Sequence, residues 1–447
     1  MQEEDLEKVI LESNPNLSKE RLEEIIQSKL RSSPFLTRLG ALLIILEEQR
    51  LAGEFLKKRD YEFAKISSLT SGIQNVSVIG RVLGSRIVTG KDAKSSLRLR
   101  LWDGTGSVDV VVWENFEAIT PLHLGEAVAV RNGYIASSKP GQEILLHAGS
   151  RSAVEKMGEA AGLPPFDEKS FRLPEKLGEK AGKIDFSAVA VLNTGLRKIG
   201  NGVDVCELVV TDGSKELLLV GWREWAEFLS AVTAGQRFFA ASVAVGDDDL
   251  FTTSNTCITL TGVDNDALSN AWRRAFTNLP LKVLGMAFDG YLVVTNGVKV
   301  MKLASPSVSD VGGCYVVERA FVINRRGIPY IYGTVATPSG CDLQLPKFGG
   351  ELENVQGRLV DGVIECEIVR KTPTTIVNTK YGQKQITGFW AGCGERTINC
   401  TAWGKASAII ESQPEGTYIR FALPVVRKNK FGDVELSVDE LSYVERV

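Results

Sequence analysis

The chain has 447 residues, 44% of them hydrophobic and 24% charged, with a formal net charge of −3. That length is too great for one core and fits several small domains, and the near-neutral charge excludes a protein that coats duplex DNA with a basic surface, so any nucleic-acid contact must be local. The seven Cys (206, 257, 314, 341, 366, 393, 400) are odd in number and never spaced C-x-x-C, and only His123 and His147 occur; this predicts a reducing cytoplasmic protein with neither disulfides nor zinc, no cofactor and no His-based catalysis.

Residues 1–60 read as helical. Asn16-Leu17-Ser18 can cap a helix carrying Leu22, Ile25, Ile26 and Leu30. Ser33-Pro34 starts a second helix with Phe35, Leu36, Leu39, Leu42, Leu43 and Leu46 on one broad stripe. A helical hairpin of this kind binds partners or caps a neighbour. The apolar run 41–46 is too short to span a bilayer and the acidic start is no secretory signal, so no membrane association is expected.

From about Lys65 period-two alternation and Gly-rich turns dominate. One pattern returns three times. Asp103-Gly104, Asp212-Gly213 and Cys393-Gly394 are each followed, ten residues after the first of the pair, by Trp113, Trp222 and Trp403. Gly125, Gly235 and Gly416 then follow at 12, 13 and 13 residues. A repeat this regular means one structural unit used several times. Its order of three strands, a helical insert and two strands is that of a five-stranded Greek-key barrel, the OB-fold. The expected class is therefore mostly β, with tandem OB-fold barrels at 64–154, 183–263 and 355–447, a degenerate copy without Trp at 278–346, a helical region at 1–60, and a linker at 155–182.

Alternation also predicts a binding face. With Leu97, Leu99, Leu101, Val108, Val110 and Val112 inside the first barrel, Arg98, Arg100, Trp102, Val111 and Trp113 point out. Cations that track phosphates beside indoles that stack bases are what a single-strand groove requires. Arg86, Lys91 and Lys94 add charge in the preceding loop. The alternative for Trp113 is barrel-end packing. The last barrel repeats the pattern with Trp403, Lys380, Tyr381 and Lys384, and with the hairpin Arg427-Lys428-Asn429-Lys430-Phe431. The second offers Trp222, Arg197 and Lys198, but its final hairpin, Asp247-Asp248-Asp249, repels phosphate. In the third, Arg325-Arg326 stands before Tyr330 and Tyr332. That hairpin fits either a nucleic-acid contact or a spacer. No enzyme motif is found: Gly84 to Lys91 has one residue too many for a phosphate loop, and Asp92 stands where Ser or Thr must hold magnesium.

The stretch from Ile66 to Val154, with Asp103-Gly-Thr-Gly106 and Val110-Val-Val-Trp113, resembles the first DNA-binding OB domain of archaeal replication protein A and its eukaryotic large-subunit relative. Leu36-Thr-Arg-Leu-Gly40 is similar to the helices before that domain in the archaeal proteins. The resemblance implies a strand-three aromatic that stacks on a base, falling on Trp113, Trp222 and Trp403. It also implies a second stack between strands four and five, for which Phe251 and Phe431 are candidates and the first barrel offers only Ile144. The four-Cys zinc pattern of many members is absent. The expected function is non-catalytic binding of single-stranded DNA in replication, recombination and repair, with replication or repair proteins as partners of the N-terminal helices. RNA binding and protein scaffolding are the alternatives.

Overall fold

The computed structural model describes residues 3–13, 18–32, 36–48, 63–90, 94–136, 144–158, 162–178, 182–199, 202–304, 311–334, 336–379 and 382–447. The chain divides into two compact units. One holds 1–171 with 239–242 and 254–259; the other holds 172–238, 243–253 and 260–447.

The N-terminal region is a three-helix cluster rather than a hairpin: Glu3–Ser13, Lys19–Ser32 and Arg38–Glu48. Ser18 caps the second helix, accepting from Arg21 N at 3.2 Å. Leu6 and Ile10 join Leu22, Ile26, Leu42 and Ile45 in one small core. Arg38 binds Glu7 and Glu23 at 2.7 and 2.5 Å, tying all three helices through one guanidinium. The first helix escaped the sequence reading because only two of its positions, Leu6 and Ile10, are fully buried in the core, with Val9 and Leu11 packed at its edge. Among the described residues no helix is long and apolar enough to cross a membrane.

Beyond these helices the described residues form four curled sheets. In the first barrel the strands are Val76–Thr89, Ser95–Trp102, Ser107–Val112, Ala127–Ala136 and Leu145–Ala148. Their spatial order is one-two-three-five-four, and strands one and four pair to close the barrel. Strands three and five run parallel, which the OB connectivity demands. Leu97, Leu99, Leu101, Val108, Val110, Val112, Val128, Val130 and Leu146 fill its core. Each such side chain contributes roughly 1.5–3 kcal/mol by burial. The second sheet (Lys183–Ile199, Val203–Thr211, Glu216–Trp222, Gln236–Val245, Leu250–Phe251) has the same order. So has the third (Phe276–Met286, Leu292–Thr295, Val300–Ala304, Cys314–Arg325, Ile328–Gly333). In the fourth (Val363–Lys371, Gly382–Cys393, Arg396–Trp403, Tyr418–Ala422, Val425–Lys428, Val434–Val438) strand four is broken at Leu423, whose φ is +58°. Its first half pairs strand one and its second half pairs strand five.

The repeated glycine has a physical explanation. Gly125, Gly235 and Gly416 have φ of +80°, +88° and +88°, a region that favours glycine. Each donates its N–H to a strand-one carbonyl where that strand bulges: Val82 at 2.8 Å, Ala190 at 2.8 Å and Ile368 at 2.7 Å. Gly312, at φ +84°, does the same to Val283 at 2.9 Å in the third barrel. The third copy therefore keeps the glycine device although it lacks the Trp. The bulge lets the long first strand curl far enough to serve both of its neighbours.

The expectation of unpaired thiols is corrected. Cys314–Cys341 and Cys366–Cys393 are disulfides, with Cα atoms 5.7 and 4.4 Å apart, while Cys206, Cys257 and Cys400 are buried thiols outside either disulfide. Spacing along the chain missed them because the bridging is done by the sheet. Cys366 and Cys393 sit on adjacent antiparallel strands, where Glu367 faces Gly392, and directly opposed strand positions bring Cα atoms within about 4.5–5.5 Å.

Candidate nucleic-acid interface

Residues directly opposite each other across a sheet share a face. In the first barrel one register row runs Arg86, Arg98, Val111, His147, Tyr134 across strands one, two, three, five and four. Leu97, Val112 and Leu146 alternate to the interior, so this row points outward. Val111 is fully buried beneath its neighbours and forms the floor. Trp113 stands two residues further on, just past the end of strand three, and is 44% exposed. Its ring lies parallel to His147, with centroids 6.0 Å apart and planes 3° off. Tyr134 stacks on the other ring partner at 4.9 Å and 11°. Trp113 Nε1 donates to His147 Nδ1 at 3.1 Å, and the Arg98 guanidinium lies 5.6 Å from the Trp113 ring. Burial, then the Arg98 charge, hold the His147 imidazole below its ordinary value. Burial, then the charge of Arg86, lower Arg98 in turn. An anion arriving between the two guanidiniums relieves that repulsion. The arrangement presents coplanar aromatic rings and two cations on one surface, which suits bases and phosphates of an unpaired strand.

The neighbouring row does not serve this way. Arg100 is only 8% exposed and donates to Asp109 at 3.1 Å. Asp109 also accepts from Ser242 Oγ at 2.9 Å and Asn255 Nδ2 at 3.2 Å. Alternation placed Arg100 outside correctly, but residues 239–242 and 254–259 cover that part of the face. Trp102 is half-buried for a related reason, packing edge-on against Phe171 at 5.3 Å. Arg86 donates to the Ser254 carbonyl. Lys94 is exposed, and Lys91 lies outside the described residues.

The second and third barrels turn equivalent faces on each other. The second barrel's row reads Glu207, Val220, Phe251, Ala244, with Trp222 two residues beyond Val220. Register thus matches Trp222 to Trp113 and Phe251 to His147, but puts Glu207 where the first barrel has Arg98. Glu207 is 1% exposed. It is held by Arg197 at 2.9 Å and by Arg325 at 2.6 Å. Arg325 also reaches Asp249 at 2.7 Å, and Arg326 N donates to Asp248 at 2.7 Å. The acidic hairpin of one barrel thus occupies the basic hairpin of the other. Val205, Val220, Tyr291, Val293, Phe321, Tyr330 and Tyr332 bury the apolar remainder, with Trp222 packed alongside. In the third barrel's own row, Lys302 is fully buried against Asp289, and burial lowers its ammonium to about 8. Of the residues expected to contact nucleic acid here, Trp222, Arg197 and Arg325 are consumed by this contact. Arg326 is engaged through its backbone, and exposed Lys198 pairs with Asp204 at 3.3 Å.

The fourth barrel is open. Its row reads Arg370, Trp390, Asn399, Glu435, Arg427. Trp390 is 36% exposed, with the Arg370 guanidinium 5.6 Å from its ring. Trp403 is half-buried at the end of strand three, opposite Ile386. Arg427, Lys428 and Lys430 are exposed on the final hairpin with Phe431 at its tip. Lys430 Nζ lies 5.0 Å from the Phe431 ring. Lys384 pairs with Glu440 at 2.9 Å. Lys380 and Tyr381 lie outside the described residues. Sequence reasoning missed Tyr134, His147, Arg370 and Trp390. For Trp390 a signal existed: it alternates with Phe389 and Ala391, both of which are buried.

No family model matches the chain, and no curated protein matches it. Among solved structures, a replication protein A heterotrimer bound to single-stranded DNA is similar at 10% identity over 86% of this chain and 96% of that one, with a TM-score of 0.36. The second OB-fold domain of replication protein A from Methanococcus maripaludis matches at 18% identity over 22% of this chain and 93% of its own, with a TM-score of 0.19. A replication factor A related protein from Methanobacterium thermoautotrophicum matches at 24% identity over 22% and 94%, also at 0.19.

Proposed function

We propose that the chain is a non-catalytic single-stranded DNA-binding protein that covers and protects exposed strands during replication, recombination and repair. The observation that carries this reading is the first barrel's outward row, where Trp113 and His147 lie edge to edge in one plane, Tyr134 stacks on His147, and Arg98 and Arg86 stand beside them. Such a surface is sequence-tolerant, because every base offers a π-face. Leu39 and Leu43, 36% and 45% exposed on the third N-terminal helix, are the apolar positions offered to replication or repair partners. The scaffold reading applies locally: Glu207 and Asp249 make the second barrel's face a receptor for Arg325 of the third. The test is tryptophan fluorescence during titration with poly-dT and with the RNA equivalent at two salt concentrations. Salt-sensitive quenching that is stronger with DNA supports the proposal. Equal or stronger quenching by RNA reassigns the ligand, and no quenching by either sinks it.

A further inference from the structure

The fourth barrel differs from the first in what occupies the centre of its outward row. The first barrel has Val111 and His147 there, neither of which carries a carboxylate. The fourth has Asn399 and Glu435 at the same register. Asn399 is exposed. Its Nδ2 donates to Glu435 Oε1 at 3.4 Å, and Asn429 Nδ2 from the final hairpin approaches the same oxygen at 3.5 Å. Two amides therefore reach one carboxylate oxygen on an open face, with Asn429 Nδ2 also 3.3 Å from Asp433 Oδ2. Two strands away stands Trp390 with Arg370 over its ring. Strand spacing puts Trp390 and Glu435 roughly 10 Å apart, a span that a stacked purine and one hydrogen bond of about 3 Å can fill. Beside this row lies a cavity of about 670 Å³, lined among others by Trp390, Arg396, Thr397, Asn399, Asn429 and Asp433.

We propose that this face is a guanine-preferring base site, with Trp390 as the stacking surface and Glu435, held by Asn399 and Asn429, as the reader. The inference rests on the reading that these faces bind single strands, and adds a base preference to it. A carboxylate only accepts hydrogen bonds. Guanine alone among the four bases presents two adjacent donors, N1–H and N2–H, on its Watson–Crick edge. Thymine presents one donor between two acceptors, which face the carboxylate unfavourably. Unstacked bases in single strands are read on this edge. The first barrel then supplies sequence-tolerant affinity and the fourth supplies the preference.

The experiment uses the full chain and its Trp113→Ala variant. Short labelled thymidine oligonucleotides are compared with ones carrying a central dG, or inosine at that place. Inosine keeps N1–H but lacks the N2 amino group. The expected result is binding about tenfold tighter for dG than for dT, since a good bidentate pair is worth roughly 1–3 kcal/mol, with inosine in between. Glu435→Gln should erase the preference, bringing the dG and dT affinities together, and Trp390→Ala should weaken the dG oligonucleotide most. GMP separates the two sources of guanine. Competition by GMP against the dG strand alone would show that the site also takes the free nucleotide, and no competition would show that it needs the strand. Equal affinities for dG, inosine and dT in the unmodified chain overturn the inference while the single-strand reading stands. Failure of every oligonucleotide to bind overturns both.

Discussion

Replacing Trp113 by Ala separates the binding role of the first barrel's face from its structural role. Trp113 is 44% exposed and lies outside the barrel core. Its side chain donates a hydrogen bond to His147 Nδ1 at 3.1 Å, worth about 1 kcal/mol net. The substitution should therefore lower stability by no more than about 1–2 kcal/mol, because the core beneath it is untouched. Binding should suffer more. One stacked base is worth roughly 1–3 kcal/mol, which is about a 5- to 150-fold loss in affinity at 1.4 kcal/mol per factor of ten. Tyr134 and His147 remain stacked on each other, so binding should be weakened rather than abolished. The indole carries no charge, so the slope of log affinity against log salt should stay unchanged. Fluorescence anisotropy with a labelled dT oligonucleotide over a salt series measures both quantities, and circular dichroism confirms the fold. A folded variant with unchanged affinity would refute the assignment. A variant whose loss of binding tracks unfolding would show that Trp113 serves packing.

Arg98→Ala should reduce that salt slope by about 0.7, the value for one phosphate contact on a single strand; an unchanged slope would remove Arg98 from the interface. Arg325→Ala should destabilise the unit containing the second and third barrels by about 3–5 kcal/mol, since it takes a partner from the buried Glu207 carboxylate. The dT affinity of the folded protein should not change, and a specific loss of binding without destabilisation would contradict the masked faces. Because burial and Arg98 hold His147 below its ordinary value, the unfolded chain binds this proton first. Its contribution to stability is thus intact above about pH 6.5 and lost as pH falls through the lower folded value. NMR titration of the imidazole should give a midpoint below about 6.5, and one at or above it would contradict the stacked geometry. Finally, the unreduced, denatured chain should titrate three thiols, those of Cys206, Cys257 and Cys400; all seven reacting would exclude both disulfides.

The repeat made the fold legible. Trp113, Trp222 and Trp403 mark one strand end in three barrels, and Gly125, Gly235 and Gly416 mark one left-handed residue before strand four. Alternation identified the inward set Leu97, Leu99 and Leu101 because a period of two leaves only two faces. It could not say whether an outward residue meets solvent. Arg100 and Trp102 point out of their barrel, as read, and are then covered by residues remote in sequence. Arg325 shows the same limit more sharply, since its carboxylate partner Glu207 is reached across the packing of two barrels, whereas Arg197 meets Glu207 from the neighbouring strand of its own barrel. His147 and Tyr134 were hidden for a different reason. Strand five is only Leu145–Ala148, too short for alternation to reveal a face, and its parallel pairing with strand three fixes who stands beside Val111. The disulfides were missed because cross-strand pairing, not local spacing, joins Cys366 to Cys393.

The central claim is that unpaired strands lie on the open faces of the first and fourth barrels and not on the faces that the second and third bury against each other. Photo-crosslinking tests it most directly. The full chain is irradiated with a dT oligonucleotide carrying 4-thiothymidine, and the modified peptides are identified by mass spectrometry. The account predicts adducts in the segments holding Trp113, Tyr134 and His147 and in those holding Trp390 and Phe431. Adducts concentrated at Trp222, Phe251 or Tyr330 would contradict it.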